Sequence, residues 1–99
     1  MRKRYDGIIE FIHAPGAKLD YSIDWNAILY VGESIITSNW ISSSTDITLS
    51  DSSTASGVTT IYAAGGTKNK TYYLTNTITT NHSPDRIDVR NIVLVCQDR

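Results

Sequence analysis

Residues 71–80 read Thr71-Tyr72-Tyr73-Leu74-Thr75-Asn76-Thr77-Ile78-Thr79-Thr80. Thr71, Thr75, Thr77 and Thr79 share one parity while Tyr72, Leu74, Asn76 and Ile78 share the other. In an extended chain that gives one wet face and one dry face. β-Branched and aromatic residues suit such a half-buried pleated surface. The stretch follows the turn signal Gly65-Gly66-Thr67 and stops at Asn81-His82-Ser83-Pro84, so the pattern predicts a strand between polar turns.

Other segments repeat the pattern on either side. Leu19-Asp20-Tyr21-Ser22-Ile23-Asp24-Trp25 alternates cleanly, with Leu19, Tyr21, Ile23 and Trp25 inward and the acids outward. Asn26 to Gly32 loses the period and predicts a helical turn or bulged crossover. A strand is expected over Glu33 to Ile41, with Ile35 or Ile36 and Trp40 reaching the core. Ser42 to Thr45 reads as a turn, Asp46 to Ser50 as a short strand, Asp51 to Gly57 as a polar loop, and Val58 to Ala64 as a strand. The loop from Gly65 to Lys70 is expected to close a hairpin.

The last strand is expected over Arg86 to Gln97. A bulge near Arg90-Asn91 would let Ile87, Val89, Ile92, Leu94 and Cys96 all point inward, leaving Val93 and Val95 outside. Short strands at roughly ten-residue spacing, with no helix long enough for a crossover, predict an all-β fold. The fold class is a single immunoglobulin-like β-sandwich of about six or seven antiparallel strands over residues 18–99, preceded by an N-terminal arm over residues 1–17. Tyr72 stands where a tyrosine corner would bond back to the preceding loop, and an ordinary core tyrosine is the alternative.

The arm carries Arg2, Lys3 and Arg4, then Tyr5, then the apolar cluster Ile8, Ile9, Phe11 and Ile12, and breaks at His13-Ala14-Pro15-Gly16. It reads either as an edge strand or tail packed on its own domain, or as a docking arm captured by a neighbour. Of the aromatics, Tyr21, Trp25, Trp40 and Tyr72 are expected in the core. Tyr5, Phe11, Tyr30 and Tyr73 are the candidates for contacts. The predicted interface residues are therefore Arg2, Lys3, Arg4, Tyr5, Ile8, Ile9, Phe11, Ile12, Tyr30 and Tyr73.

Composition narrows the function classes. The 99 residues hold 11 Ser and 12 Thr, which favours solvated strand faces and hydroxyl-rich turns over long helices. A net charge of -1 provides no field to draw in nucleic acid or an anionic membrane. No stretch approaches the ~20 apolar residues of a membrane span. The single cysteine, Cys96, excludes an internal disulfide and fits synthesis in a reducing cytosol. Without an export signal, Asn69-Lys70-Thr71 and Asn81-His82-Ser83 read as chance glycosylation matches.

No catalytic or cofactor signature is present. His13 and His82 sit in turn-like contexts outside any zinc-ligand spacing. Asp46 and Asp51 bracket a loop but lack the repeated acids of a calcium loop. His82-Ser83-Pro84-Asp85 reads as a turn, since sequence neighbours rarely form a nucleophile, base and orienter. Gly65-Gly66-Thr67-Lys68 lacks the spacing and the helix of a phosphate loop. No cofactor, no metal and no enzymatic activity are expected.

One resemblance carries the reading further. Leu19 to Trp25, Glu33-Ser34-Ile35 with Trp40, Gly65-Gly66-Thr67 leading into Tyr72 to Thr80, and the ending Val93-Leu94-Val95-Cys96-Gln97-Asp98-Arg99 are similar in order and spacing to the small immunoglobulin-like phage fiber-tail adaptor proteins. The likeness spans residues 19–99. The arm, with Ile8, Ile9, Phe11 and Ile12, departs from the shorter Asp- and Pro-rich starts of that family. The resemblance implies a virion structural protein, made in the host bacterial cytoplasm, that attaches a tail fibre or spike to the tail. Its implied partners are other tail proteins, such as tube, nozzle, adaptor, fibre or spike, with many copies around a symmetric tail. Neither nucleic acid nor membrane is implied. The alternatives are a carbohydrate-binding or adhesion module using Tyr73 or Tyr30, and a capsid-decorating immunoglobulin-like protein.

Overall fold

The computed structural model describes residues 2–3 and 9–97, with side chains from Glu10 onward. The described strands are β1 (Arg2–Lys3), β2 (Ile9–His13), β3 (Lys18–Asp24), β4 (Ile35–Ser42), β5 (Ile47–Ala55), β6 (Val58–Gly65), β7 (Thr71–Thr80) and β8 (Ile87–Cys96). They form two sheets, ordered β1-β2-β8-β7-β4 and β3-β6-β5. The all-β sandwich is the fold that the alternation predicts. Its β8-β7-β4 and β3-β6-β5 arrangement is the G-F-C and B-E-D order of an immunoglobulin-like domain.

β7 spans the residues predicted for it, and Tyr72, Leu74, Asn76, Ile78 and Thr80 are buried. Tyr21, Ile23 and Trp25 from β3 and its end and Ile61 of β6 meet them from the other sheet, with Trp40 of β4 beside them in their own. Tyr72 makes the tyrosine-corner bond: its hydroxyl accepts from the Thr67 N–H at 2.9 Å and donates to Asp46 Oδ2 at 2.9 Å. Leu74, two residues on, holds the place of the second disulfide cysteine in antibody domains and is fully buried.

Five expectations are corrected. Residues 51–55 continue β5 instead of forming a loop. Asp51 adopts φ 53° inside an irregularity between Ser50 and Ser53, and the strand then resumes. Aspartate tolerates this left-handed conformation better than most residues. The reversal needs only Ser56 and Gly57, at φ 51° and 79°, as a two-residue hairpin turn with both centres left-handed requires.

The segment after Gly65 is not a hairpin, because β6 and β7 lie in different sheets and the chain crosses between them. β8 contains no bulge, since its pairing with β7 runs unbroken from Thr79↔Ile87 to Thr71↔Val95. Ile87 and Val89 therefore face outward and are exposed. The inward parity at that end belongs to Arg90, whose guanidinium lies 4.8 Å from the Trp25 ring and closes the core by a cation–π contact.

β2 runs parallel to β8, from Ile9↔Ile92 to His13↔Cys96, whereas the other pairings among the described strands are antiparallel. Because β2 ends at His13, that residue is not in a turn but is fully buried. Its Nε2 faces the carbonyls of Ala17 (3.0 Å) and Gly65 (3.2 Å), which can only accept, so Nε2 carries the proton. Nδ1 shares a 2.6 Å hydrogen bond with the Tyr21 hydroxyl.

The two tryptophans differ in a way that predicts different costs. Trp25 Nε1 donates to Thr59 Oγ1 and Asn76 Oδ1, both at 3.1 Å, whereas Trp40 Nε1 is buried without a partner. Trp40→Phe removes an orphaned donor along with some packing. Trp25→Phe removes packing and a satisfied bond. Urea titrations should show Trp25→Phe the more destabilising, by about 1–2 kcal/mol. Equal costs would mean that the Trp40 indole has an acceptor.

Candidate docking face

Strand parity sorts the outward residues of the larger sheet. From β7 they are Thr71, Tyr73, Thr75, Thr77 and Thr79. Their partners on β8 are Val95, Val93, Asn91, Val89 and Ile87. β4 adds Thr37, Asn39 and Ile41, with Ile36 at its irregular start, and β2 adds Glu10 and Ile12 beside Val93 and Val95. Across β4, β7 and β8 this face bears no charge. Ile36, Ile41, Tyr73, Ile87 and Val89 are exposed on it, as is Ile12 at its margin.

The outer face of the smaller sheet differs in kind. It carries Lys18, Asp20, Ser22 and Asp24 from β3, with Ser50 and Ser53 from β5. Ser22 and Thr60 share a 2.8 Å hydrogen bond, and Lys18 Nζ pairs with Asp51 Oδ2 at 3.4 Å. The outer face of the smaller sheet is thus charged, whereas the β4–β7–β8 face mixes threonine and asparagine with exposed aliphatics and carries no charge. Exposed aliphatics on an uncharged face are the kind of surface that protein contacts use.

The predicted interface residues scatter over this framework. Ile12 and Tyr73 lie on the larger sheet's outer face. Phe11 has the opposite parity and packs partly buried against the core, its ring 5.1 Å from that of Tyr21. Arg2 and Lys3 form β1, which pairs with β2, and Ile9 is described only in its backbone. Arg4, Tyr5 and Ile8 lie outside the described residues. Tyr30, 60% exposed, sits in the loop between β3 and β4, next to fully exposed Val31. That loop adjoins the end of β7 opposite Tyr73, so the two tyrosines are about 20 Å or more apart along the strand and share no platform.

Sequence reasoning passed over Ile36, Ile41, Ile87 and Val89. The signal was present in β8: without a bulge, Ile87, Val89, Val93 and Val95 form one aliphatic row opposite Ile92, Leu94 and Cys96.

The Tyr30 loop is held by Glu33. Its carboxylate accepts from the Tyr30 N–H (2.8 Å), the Thr80 hydroxyl and Arg86 Nη1 (2.9 Å), and its side chain is 2% exposed. Arg86 also donates to Ile28 O (3.2 Å) and covers the Tyr30 ring at 4.6 Å, while His82 tilts against that ring. Burial pushes the Glu33 carboxyl up. The hydrogen bonds from Thr80 and Tyr30 and the charges of Arg86 and His82 outweigh it and hold the pKa below its ordinary 4.5.

A carboxylate depressed in the folded state contributes stability that is fully present above its unfolded pKa and is lost as pH falls through the folded one. Glu33→Gln should therefore be less stable than the native chain above pH 4.5, and the gap should close below it. Denaturation midpoints of both proteins between neutral and acid pH check this. A gap that widens on acidification would contradict it.

The described residues include no cluster of three His, Cys, Asp or Glu able to hold a metal. His82 Nδ1 lies 3.1 Å from Pro84 O, within its own turn. Burial raises the pKa of the Cys96 thiol, leaving it protonated.

The family model for the podophage GP4 fiber-tail adaptor protein gp77 matches residues 13–95. The chain belongs to this fiber-tail adaptor family. Among curated proteins no match is found. The matched span takes in β3 to β7 and β8 as far as Val95, and so the strands of the charge-free face.

Proposed function

We propose that this adaptor is a non-enzymatic virion component that attaches a tail fibre or spike to the phage tail, with the neutral outer face of its larger sheet as one of two contact surfaces. The observation that carries this reading is the charge-free face formed by β4, β7 and β8 in a chain of the fiber-tail adaptor family. Its threonines and aliphatics can be desolvated without stranding a charge, which is what a stable protein contact needs. The polar second sheet stays wet or meets a more hydrated partner. Copies repeated around a symmetric tail would make modest individual contacts strong through avidity. Folding in a reducing bacterial cytosol suits a core with one protonated, buried thiol.

The test is genetic and biochemical. Phage made without the chain should assemble tails that lack fibres, and adding the purified protein with fibres should restore them. Fibres retained in its absence, or the protein recovered on the capsid surface, would overturn the adaptor reading. The second result would favour capsid decoration.

A further inference from the structure

We propose that the open edge of β4 receives an extended, uncharged segment of a tail or fibre protein as an added strand. This deepens the adaptor reading and rests on it.

β4 ends the larger sheet, and among the described residues no strand pairs with its outer edge. The Ser43 N–H donates to Tyr73 O, and the pairing continues through Ile41↔Thr75 and Asn39↔Thr77. In an antiparallel ladder that parity turns its backbone groups toward the neighbour, so Ser38, Trp40 and Ser42 present theirs to the open side. The register is regular from Thr37 to Ser42. That leaves about 20 Å of template.

The other edges are guarded. β1 carries Arg2 and Lys3, β3 carries Lys18, Asp20 and Asp24, and β5 is broken by the Asp51 irregularity. Charges and irregularities on edge strands oppose pairing with other chains. β4 reads Ile35-Ile36-Thr37-Ser38-Asn39-Trp40-Ile41-Ser42, with no charge and no proline, and its one register shift lies at the start. It is an unguarded edge of the kind that accepts strand addition.

The occupant follows from the surroundings. An added strand would place alternate side chains beside Asn39 and Ile41, extending the neutral face, so charged residues there would lose water without gaining a partner. Self-pairing of β4 between two copies is the competing occupant, and the oligomeric state of the purified protein separates it from a tail or fibre segment.

The test compares hydrogen exchange in the free protein and in tails carrying bound fibres. Amides of Ser38, Trp40 and Ser42 should exchange roughly tenfold or more slowly in the assembly, because strand addition engages them directly. Asn39→Lys and Ile41→Lys, both exposed beside the open edge, should each reduce fibre retention by roughly tenfold or more, with the melting temperature of the free protein near native. Thr48→Lys, exposed on β5, should retain fibres.

Unchanged exchange at the three amides in assembled tails, or full fibre retention by both edge variants, would overturn the strand-addition proposal while leaving the adaptor role intact. Protection of the edge in a purified dimer would also overturn it, in favour of self-pairing. Failure of the adaptor role itself would show separately, as fibres retained by phage lacking the chain.

Discussion

Asn76→Ala is expected to lower the free energy of unfolding by about 3–4 kcal/mol, although it removes no aliphatic carbon from the core. Asn76 is fully buried in the middle of β7. Its Oδ1 accepts from Trp25 Nε1 at 3.1 Å and from the Thr59 hydroxyl at 2.7 Å. Its Nδ2 donates to Ser38 Oγ at 2.9 Å and to Asn39 O at 3.0 Å. All four hydrogen-bonding positions of the amide are used. Trp25 and Thr59 belong to the side of the smaller sheet, and Ser38 and Asn39 to β4, so one side chain ties the two layers and fixes the edge strand.

Alanine would strand the Thr59 hydroxyl proton and deprive the β4 groups of a donor inside a dry core, where unpaired polar groups are costly. Asn76→Leu restores the bulk but none of the bonds and should recover only part of the loss. Urea denaturation with an unchanged m value would check both substitutions. A loss below about 1 kcal/mol for Asn76→Ala would mean that the network is not what joins the sheets.

Gly66→Ala is expected to cost about 2–4 kcal/mol for two separable reasons. Gly66 has φ 97°, which L residues rarely adopt, and its N–H donates to Asp46 O at 3.1 Å, which holds the loop in place. A Cβ there would also stand 2.6 Å from Cys96 Sγ and 3.3 Å from Ile47 Cδ1. Cys96 cannot easily give way. It is fully buried, its N–H donates to Lys70 O at 2.8 Å, and its carbonyl accepts from the Asn69 N–H at 2.7 Å.

A double-mutant cycle separates strain from overlap. Cys96→Ala should remove the clash while leaving the backbone strain, so the double variant should be more stable than the sum of the single losses predicts, by about 1 kcal/mol or more. Strict additivity would contradict a direct Gly66–Cys96 contact. The Gly66 crossover also anchors Tyr72, so looser packing there would reach the start of β7 and the Tyr73 end of the charge-free face.

The sandwich was legible because β3 and β7 alternate, with polar residues outward at nearly every turn of the pleat. Thr71 to Thr80 could be assigned to a strand, with its buried set, from parity alone. The docking face was less legible because its aliphatics break the rule that apolar residues point inward. Ile87 and Val89 look like core residues until the pairing with β7 shows that Arg90 occupies the inward place.

β5 was read short for a related reason. Ser52, Ser53 and Thr54 carry no apolar alternation, and only pairing with β6 makes them a strand. The arm split similarly. Phe11 and His13 were drawn inward by β2 joining β8, a long-range parallel pairing that no local pattern announces.

The adaptor role is tested most directly by imaging the intact virion by cryo-electron microscopy at a resolution that traces strands. The account predicts this sandwich at the junction of tail and fibre, its β4–β7–β8 face covered and its β3–β6–β5 face more hydrated. Finding it on the capsid surface, or at the junction with the charge-free face open to solvent, would contradict the account.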